Sequence, residues 1–248
     1  MRNALFAFKQ WLVLLLAGWL LLQLFLTGRI ALMAVVDPSS TAFERSQAWQ
    51  IANKQGHLTW RQTWTPSEQI AKTLQRAVLA SEDSAFTSHK GIWWDALEKA
   101  WQKNAKAEAQ LEAQSAKKKN GKAVAPKIVG GSTITQQLAK NLMLSGERTL
   151  VRKAQEWVIT MALETFLSKK RILTLYLNHV EWGNGVFGAE AAARHYFQKA
   201  VSQLTEWEAA RLAVMLPRPR YFEKLPQSVY LSDRAQTIMT RMNDVALP

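Results

Sequence analysis

Residues 80–91 read ASEDSAFTSHKG and place two adjacent acids, Glu82 and Asp83, at the end of an apolar helical pattern. A helix dipole favours cations at its C-terminal end, so helix stability does not account for this acidic pair. The stretch therefore indicates either a reactive carboxylate or an ordinary solvated acidic turn.

The residues before this stretch predict the helix that carries it. Ile70, Leu74 and Val78 recur every fourth position, as on the buried face of an amphipathic helix. The sequence TPSE at 65–68 has the spacing of a capping box with proline at the first helical position, which predicts that the helix begins there. We expect this helix to deliver Glu82 to its C-terminal end.

Composition and charge narrow the class of protein. The 248 residues are 48% hydrophobic, which is enough for a sizeable core. A net charge of +13 indicates an anionic partner, which could be nucleic acid, anionic lipid or a phosphorylated substrate. The chain has no cysteine, which excludes disulfides and thiolate metal sites.

The N-terminal region predicts a membrane anchor at residues 11–36, which are almost entirely apolar. Eighteen helical residues span about 27 Å, close to the roughly 30 Å of a bilayer core. Residues 1–10 contain Arg2 and Lys9, so the positive-inside rule keeps them cytoplasmic and exports residues 37–248. The alternative is a cleaved signal peptide, although no clear cleavage site follows.

Three further segments are predicted to be connecting or inserted elements of the domain. Residues 41–55 can form a short helix, and the alternating pattern at 58–64 favours a small strand. Residues 101–127 are rich in alanine, lysine and glutamine, which predicts an inserted solvated helix or mobile basic loop. None of these segments contains a pattern of residues typical of a catalytic or binding site.

The motifs that follow all lie beyond the predicted anchor. We therefore expect a chain that lacks residues 1–36 still to fold.

A second informative stretch, residues 130–141, reads GGSTITQQLAKN. Thr133 and Gln136 have capping-box spacing, so this stretch predicts a helix N-terminus whose backbone N–H groups favour an anion. An ordinary well-capped surface helix is the alternative. The polar candidates of this stretch are Ser132, Thr133, Gln136, Gln137, Lys140 and Asn141.

A third stretch, residues 147–156, opens a long helix with the sequence ERTLVRKAQE. Arg148, Arg152 and Glu156 are spaced by four, and like charges at this spacing repel weakly. An anion held between Arg148, Arg152, Lys153 and Lys140 would remove the repulsion. The alternative is a surface ion pair between Arg152 and Glu156, which would contribute little.

Taken together, the three stretches resemble the peptidoglycan glycosyltransferase family shared with class A penicillin-binding proteins. The matching motifs are Glu82-Asp83-x-x-Phe86-x-x-His89-x-Gly91, GSTITQQLAKN at 131–141, and Arg152-Lys153-x-x-Glu156. The resemblance covers roughly residues 58–220 and includes Tyr176-Leu177-Asn178. It departs from the family at Trp93, where an aspartate is usual.

The resemblance implies a mainly α, two-lobed, lysozyme-like domain behind one transmembrane helix. The implied activity is polymerisation of lipid II into β-1,4 glycan, with inversion at C1 and release of undecaprenyl pyrophosphate. Glu82 is then the general base, and Glu156 orients the cations or helps to hold a divalent cation, Mg or Mn.

The remaining motif residues are implied to bind substrate: Asp83, Phe86, His89, Ser132, Thr133, Gln136, Gln137, Lys140, Asn141, Arg148, Arg152 and Lys153. The expected location is the inner membrane with a periplasmic catalytic domain. The expected partners are lipid II, growing glycan, the membrane and proteins of cell-wall synthesis, and no nucleic acid. Two alternatives stay open on sequence alone, a lysozyme-like enzyme that cleaves glycan and a membrane-tethered anion binder without activity.

Overall fold

The computed structural model describes residues 2–117, 131–144 and 149–248. The described part is mainly helical, as predicted. Its α-helices are α1 Arg2–Leu32, α2 Ala42–Gln55, α3 Lys72–Glu82, α4 Trp94–Lys117, α5 Ile134–Met143, α6 Leu150–Phe166, α7 Lys169–His179, α8 Ala189–Phe197, α9 Glu206–Met215, α10 Pro219–Phe222 and α11 Val229–Met242. Turns of 3-10 helix lie at Ser67–Gln69 and Val201–Gln203. The strands of its small sheet are β1 Arg61–Gln62, β2 Glu181–Gly183 and β3 Val186–Phe187, with β3 parallel to β1 and antiparallel to β2.

One group of helices, formed by α3, α9 and α11, packs around small residues of α9. Ala209, Ala210 and Ala213 are fully buried, so neighbouring helices can approach the α9 backbone closely. Trp182 fills the space beside this group, and its indole N–H donates to the backbone oxygen of Leu212 at 3.1 Å. The group holds α3 in place up to its last residue.

A second group is formed by α5, α6 and α7. The predicted stripe of Ile134, Leu138 and Leu142 on α5 is buried against this group. Both groups share one continuous hydrophobic core. The predicted two-lobed helical fold is thereby confirmed.

The start of α3 differs from the prediction. TPSE at 65–68 forms no capping box, because Pro66 precedes only a 3-10 turn and gives no side-chain cap. The helix begins only at Lys72, but it ends at Glu82 as expected. Leu74 and Val78 of the helix and Ile70 just before it are buried, as their spacing predicted. The earlier segment is held instead by Asn178, whose side-chain oxygen accepts from the Thr65 N–H at 2.7 Å and whose amide donates back to the Thr65 oxygen at 2.9 Å.

The other connecting segments follow the sequence more closely. The helix expected at 41–55 is α2, and Thr41 forms its capping box with Glu44. The strand expected at 58–64 is limited to β1. Within the predicted insertion, residues 101–117 continue α4, and the rest lies outside the described residues.

The N-terminal helix α1 contains one stretch, Phe6–Leu32, that is long and apolar enough to cross a membrane. Its C-terminal part packs on α6. Ile30 is fully buried, and Met33, just beyond the helix, is 5% exposed, so both belong to the core of the domain. A chain that lacks residues 1–36 would therefore lose two core side chains, and the expectation that it still folds stays a prediction.

We expect a chain that lacks residues 1–36 to be less stable than one that lacks residues 1–28. The longer truncation removes Ile30 and Met33, whose burial contributes about 1.5–3 kcal/mol each. Urea denaturation of both truncated chains in the same detergent measures the difference in free energy of unfolding. Equal midpoints for the two chains would contradict the assignment of these side chains to the core.

Candidate active site

Glu82 lies at the C-terminal end of α3 and is partly buried. One carboxylate oxygen accepts from the Gln137 side-chain N–H at 2.9 Å, and the other accepts weakly from the Ser81 hydroxyl at 3.4 Å. Burial raises the pKa of Glu82 above its usual range, while these two hydrogen bonds counteract part of that rise. A carboxylate in this setting is suited to take up a proton.

Gln137 is oriented toward Glu82 by a third residue. The hydroxyl of the buried Tyr176 donates to the Gln137 side-chain oxygen at 2.9 Å. Burial and the charges of Glu82 and Asp83 raise the pKa of Tyr176 well above its ordinary value, so the phenol keeps its proton. The Gln137 oxygen therefore faces Tyr176, and its N–H group faces Glu82. Tyr176 and Gln137 come from motifs that the sequence places far apart.

Asp83 points elsewhere and is 2% exposed. Its two oxygens accept from the backbone N–H of Ile134 at 3.0 Å and from the His89 Nε2 at 2.8 Å. Since the Gly91 N–H donates to His89 Nδ1 at 3.1 Å, the imidazole proton lies on Nε2. Asp83 thus places a negative charge at the N-terminus of α5 and joins it to the end of α3.

Gly91 closes this arrangement. Its backbone has φ +82°, which favours glycine. A Cβ at this position would lie 2.7 Å from Cγ2 of Thr160. The Gly91 carbonyl accepts from the hydroxyl of Thr133 at 2.6 Å, and the same Thr133 forms the predicted capping box with Gln136. The glycine of the first motif is therefore required by both backbone conformation and close packing.

Two aromatic residues of the first motif region have contacts within the protein. Phe86 is 1% exposed, and the ammonium of Lys169 lies 4.4 Å from its ring centroid. Trp93 stacks on His89 with 6.4 Å between ring centroids. Phe86 thus serves the core, and Trp93 covers the imidazole that binds Asp83.

The α6 motif forms a compact ionic cluster. Glu156 is buried, and its two oxygens bind Arg152 at 2.9 Å and Lys153 at 2.5 Å. The Nε atom of Arg152 is buried without a hydrogen-bond partner in the part of the chain that the structure describes. A buried N–H donor without a partner is costly, and an anion at this point would satisfy it.

The remaining candidates lie along or near α5. Ser132 and Lys140 are exposed, Asn141 is partly buried, and Gln136 is buried in the capping box. Arg148 lies outside the described residues. The surface of α5 therefore carries the cation of Lys140 and the amide of Asn141 in addition to Gln137.

The structure brings the first two motifs into direct contact and joins the third through helix packing. Residues of α5 bind both Glu82 and Asp83. Helix α6 packs on α5, and the hydroxyl of Thr135 donates to Glu164 at 2.6 Å. Glu164 also binds Lys169 at 2.9 Å, and it was not predicted because it lies outside the recognised motifs.

The donor set does not fit a cation held by the protein. The described residues contain no group of three or more His, Asp or Glu side chains placed to hold a metal ion. Both oxygens of Glu156 are already occupied by cationic side chains. No chemical step is therefore assigned to a metal ion held by these residues.

A helical domain with a partly buried glutamate beside an ionic helix is typical of lysozyme-like enzymes that act on glycans. Residues 50–243 match the transglycosylase family, and the chain belongs to it. Similar proteins called biosynthetic peptidoglycan transglycosylase occur in Burkholderia pseudomallei and in Paraburkholderia phytofirmans. The first is 48% identical over 231 residues, which cover 93% of this chain and 84% of the relative. The second is 45% identical over 243 residues, which cover 96% of this chain and 94% of that relative.

The adjacent acids should respond oppositely to loss of charge. We expect Asp83→Asn to lower the free energy of unfolding by roughly 1–3 kcal/mol, because its new N–H group would face a donor, either Ile134 or His89. Glu82→Gln should leave stability unchanged or raised, because burial disfavours the charged carboxylate. Thermal unfolding of both variants in one detergent compares them, and equal losses would contradict the division between these acids.

Proposed function

We propose that this enzyme polymerises lipid II into β-1,4-linked glycan, with inversion at C1 and release of undecaprenyl pyrophosphate. The observation that carries the proposal is the hydrogen-bond chain from Tyr176 through Gln137 to Glu82. This chain orients one partly buried carboxylate, which supports its proposed role as a proton acceptor. The names of the relatives, which include peptidoglycan transglycosylase, support the same substrate class.

Glu82 acts as the general base in the proposed reaction. The acceptor sugar's 4-hydroxyl attacks C1 of the lipid-linked donor, and the hydroxyl proton passes to Glu82. The bond from C1 to the phosphate oxygen breaks as the bond from C1 to the acceptor oxygen forms. A single displacement of this kind inverts the configuration at C1.

Cations stabilise the leaving pyrophosphate. Its negative charge grows as the C1–oxygen bond breaks, so fixed positive charges nearby lower the barrier. Arg152 and Lys153 are held in place by Glu156, and the unpartnered Nε of Arg152 offers a ready donor. Lys140 and Arg148 are proposed to contribute to the same charge. Pyrophosphate also needs no proton to leave.

The remaining motif residues have supporting roles in this scheme. Asp83, His89, Thr133 and Gln136 hold the end of α3 against the start of α5. Ser132 and Asn141 are proposed to bind sugar or peptide groups of the substrate. A divalent cation, Mg or Mn, would be bound mainly by phosphate oxygens of the substrate, since the carboxylates among the described residues do not form a cage for it.

Exposed apolar side chains on α4 and α6 support contact of this surface with a membrane. Trp94 and Trp101 on α4 are 61% and 75% exposed, and Val151 on α6 is 81% exposed. Trp94, the first residue of α4, contacts Trp157 of α6 edge to face. We propose a single-pass inner-membrane protein with its catalytic domain in the periplasm, where proteins of cell-wall synthesis are available as partners.

Substitution of the proposed base should impair catalysis alone, whereas substitution of a phosphate-binding cation should also impair binding. Glu82→Gln should lower the polymerisation rate about 10²-fold or more, because the amide cannot accept the proton. Its affinity for a non-transferable phosphoglycolipid donor analogue should stay near that of the unmodified chain. Arg152→Ala should weaken this affinity as well as the rate, because the cation contacts phosphate before and during reaction.

The measurement combines analogue affinity with chain-length analysis of products made from lipid II. Glu206→Gln and Lys72→Ala, both on exposed surface away from the site, are matched controls. Substantial polymerisation by Glu82→Gln would remove Glu82 as the base. Shortening of preformed glycan without polymerisation would instead indicate a glycan-cleaving enzyme.

The pH dependence of the rate tests the same assignment. The Gln137 hydrogen bond lowers the pKa of Glu82 against the effect of burial, so Gln137→Leu should raise that pKa further. Because the base must be deprotonated, the acidic limb of kcat/KM should move to higher pH. Tyr176→Phe keeps the bond between Gln137 and Glu82 and should shift the limb less. An acidic limb that stays in place in both variants would contradict Glu82 as the titrating base.

A further inference from the structure

The anchor helix binds the catalytic domain through a reciprocal pair of amides. The Gln23 side-chain N–H donates to the Gln155 oxygen at 3.1 Å, and the Gln155 N–H donates to the Gln23 oxygen at 2.9 Å. Gln23 lies in α1 and Gln155 in α6. Each amide thus satisfies one donor and the acceptor of the other, without need of water.

Gln23 lies well inside the apolar stretch of α1. It is nine residues before the last helical residue, Leu32, or about 14 Å along the axis. Its neighbours Leu22 and Leu24 are 49% and 69% exposed. A polar side chain at such a depth is unfavourable unless it is hydrogen-bonded, and these polar side chains often mark function. The hydrogen bonds to Gln155 are therefore favourable wherever lipid surrounds this part of α1.

A second attachment holds the end of the anchor. The Arg171 Nε donates to the backbone oxygen of Met33 at 2.7 Å, and one terminal nitrogen donates to that of Val36 at 3.1 Å. The same guanidinium pairs with Asp37 at 2.7 Å. Two attachments at separate points along the chain fix the direction of the α1 axis relative to the domain, which a single point could not do.

The first attachment acts on the helix that carries the ionic cluster. Gln155 directly precedes Glu156 and follows Arg152 and Lys153 in the same turn of α6. The apolar stretch Phe6–Leu32 has 27 residues, or about 40 Å of helix, which exceeds the roughly 30 Å of a bilayer core. With the N-terminal end of the stretch at the cytoplasmic face, Gln23 and the turn of α6 that pairs with it lie near the opposite membrane surface. The position of α1 in the bilayer is thereby transmitted to the cations.

We propose that Gln23 and Gln155 are positioning residues. By pairing α1 with α6 they fix the height and tilt of the Arg152–Lys153–Glu156 cluster above the membrane, so that it meets the pyrophosphate of a membrane-embedded substrate. This inference rests on the proposed function, since it assumes a lipid-linked pyrophosphate. The amides act through α6 and touch no reacting atom.

Crosslinking in proteoliposomes tests the pairing without reference to activity. The chain has no cysteine, so Gln23→Cys combined with Gln155→Cys creates one unique thiol pair. A short bifunctional thiol reagent should link the two positions within one chain. Leu24→Cys combined with Gln155→Cys is the matched control, because Leu24 is exposed at the neighbouring position of α1. Equal linking in both variants, or none in the first, would overturn the proposed pairing.

Activity in the same full-length protein tests the positioning role. Gln23→Leu should lower polymerisation of undecaprenyl lipid II in the bilayer about threefold or more. Its rate on a short-chain analogue supplied from water should be unchanged. Gln23→Asn should restore part of the lost rate, and Leu24→Ala should have no effect.

The outcomes separate the two proposals. Equal loss on both substrates would indicate mere destabilisation and overturn the positioning role, as would no loss on either. If the unmodified protein polymerises neither substrate, the proposed function fails, while the crosslinking result still decides whether the two amides meet.

Discussion

The buried carboxylate of Asp83 is the interaction on which the site depends. It accepts hydrogen bonds from the backbone of Ile134 and from the imidazole of His89, so it joins the end of α3 and the turn after it to the start of α5, which is 51 positions further along the chain. The negative charge also lies at the positive end of the α5 dipole, which strengthens the attachment. Without it, the first turn of α5 would lose an acceptor, and Gln137, one turn further along, would lose its fixed distance from Glu82.

The two adjacent acids perform different tasks because the backbone changes direction between them. Glu82 is the last residue of α3, whereas Asp83 is its C-cap with φ −161° and ψ 73°. Their side chains therefore leave the helix end in different directions. Each oxygen of the buried Asp83 accepts a strong hydrogen bond, whereas the partly buried Glu82 accepts one strong hydrogen bond from Gln137 and a weak one from Ser81. Hydrogen bonds to both oxygens stabilise the charged form of Asp83 and make it a weaker base, which supports Glu82 as the proposed base.

Much of this arrangement could be predicted from local sequence, and the rest depends on contacts between distant residues. The capping box of Thr133, the apolar stripe of α5 and the position of Glu82 all follow from spacing within a few residues. The start of α3 was predicted wrongly because Asn178, more than a hundred positions away, holds Thr65 in an extended segment. Likewise, no local pattern distinguishes Asp83 as a structural acid or pairs Gln137 with Tyr176.

The ionic cluster of α6 explains why a glutamate lies among cations that are proposed to bind an anion. Arg152 and Lys153 in successive positions repel each other, and without substrate a buried carboxylate between them keeps both in place. A pyrophosphate carries more charge and more acceptor oxygens than one carboxylate, so it can bind the outer donors while Glu156 retains the inner ones. The Nε of Arg152 has no hydrogen-bond partner among the described residues, so the proposed binding could gain a hydrogen bond there without first breaking one. Because the same helix also contacts α1, the proposed lipid-linked anion and the cations proposed to bind it would be brought to the same depth by one element.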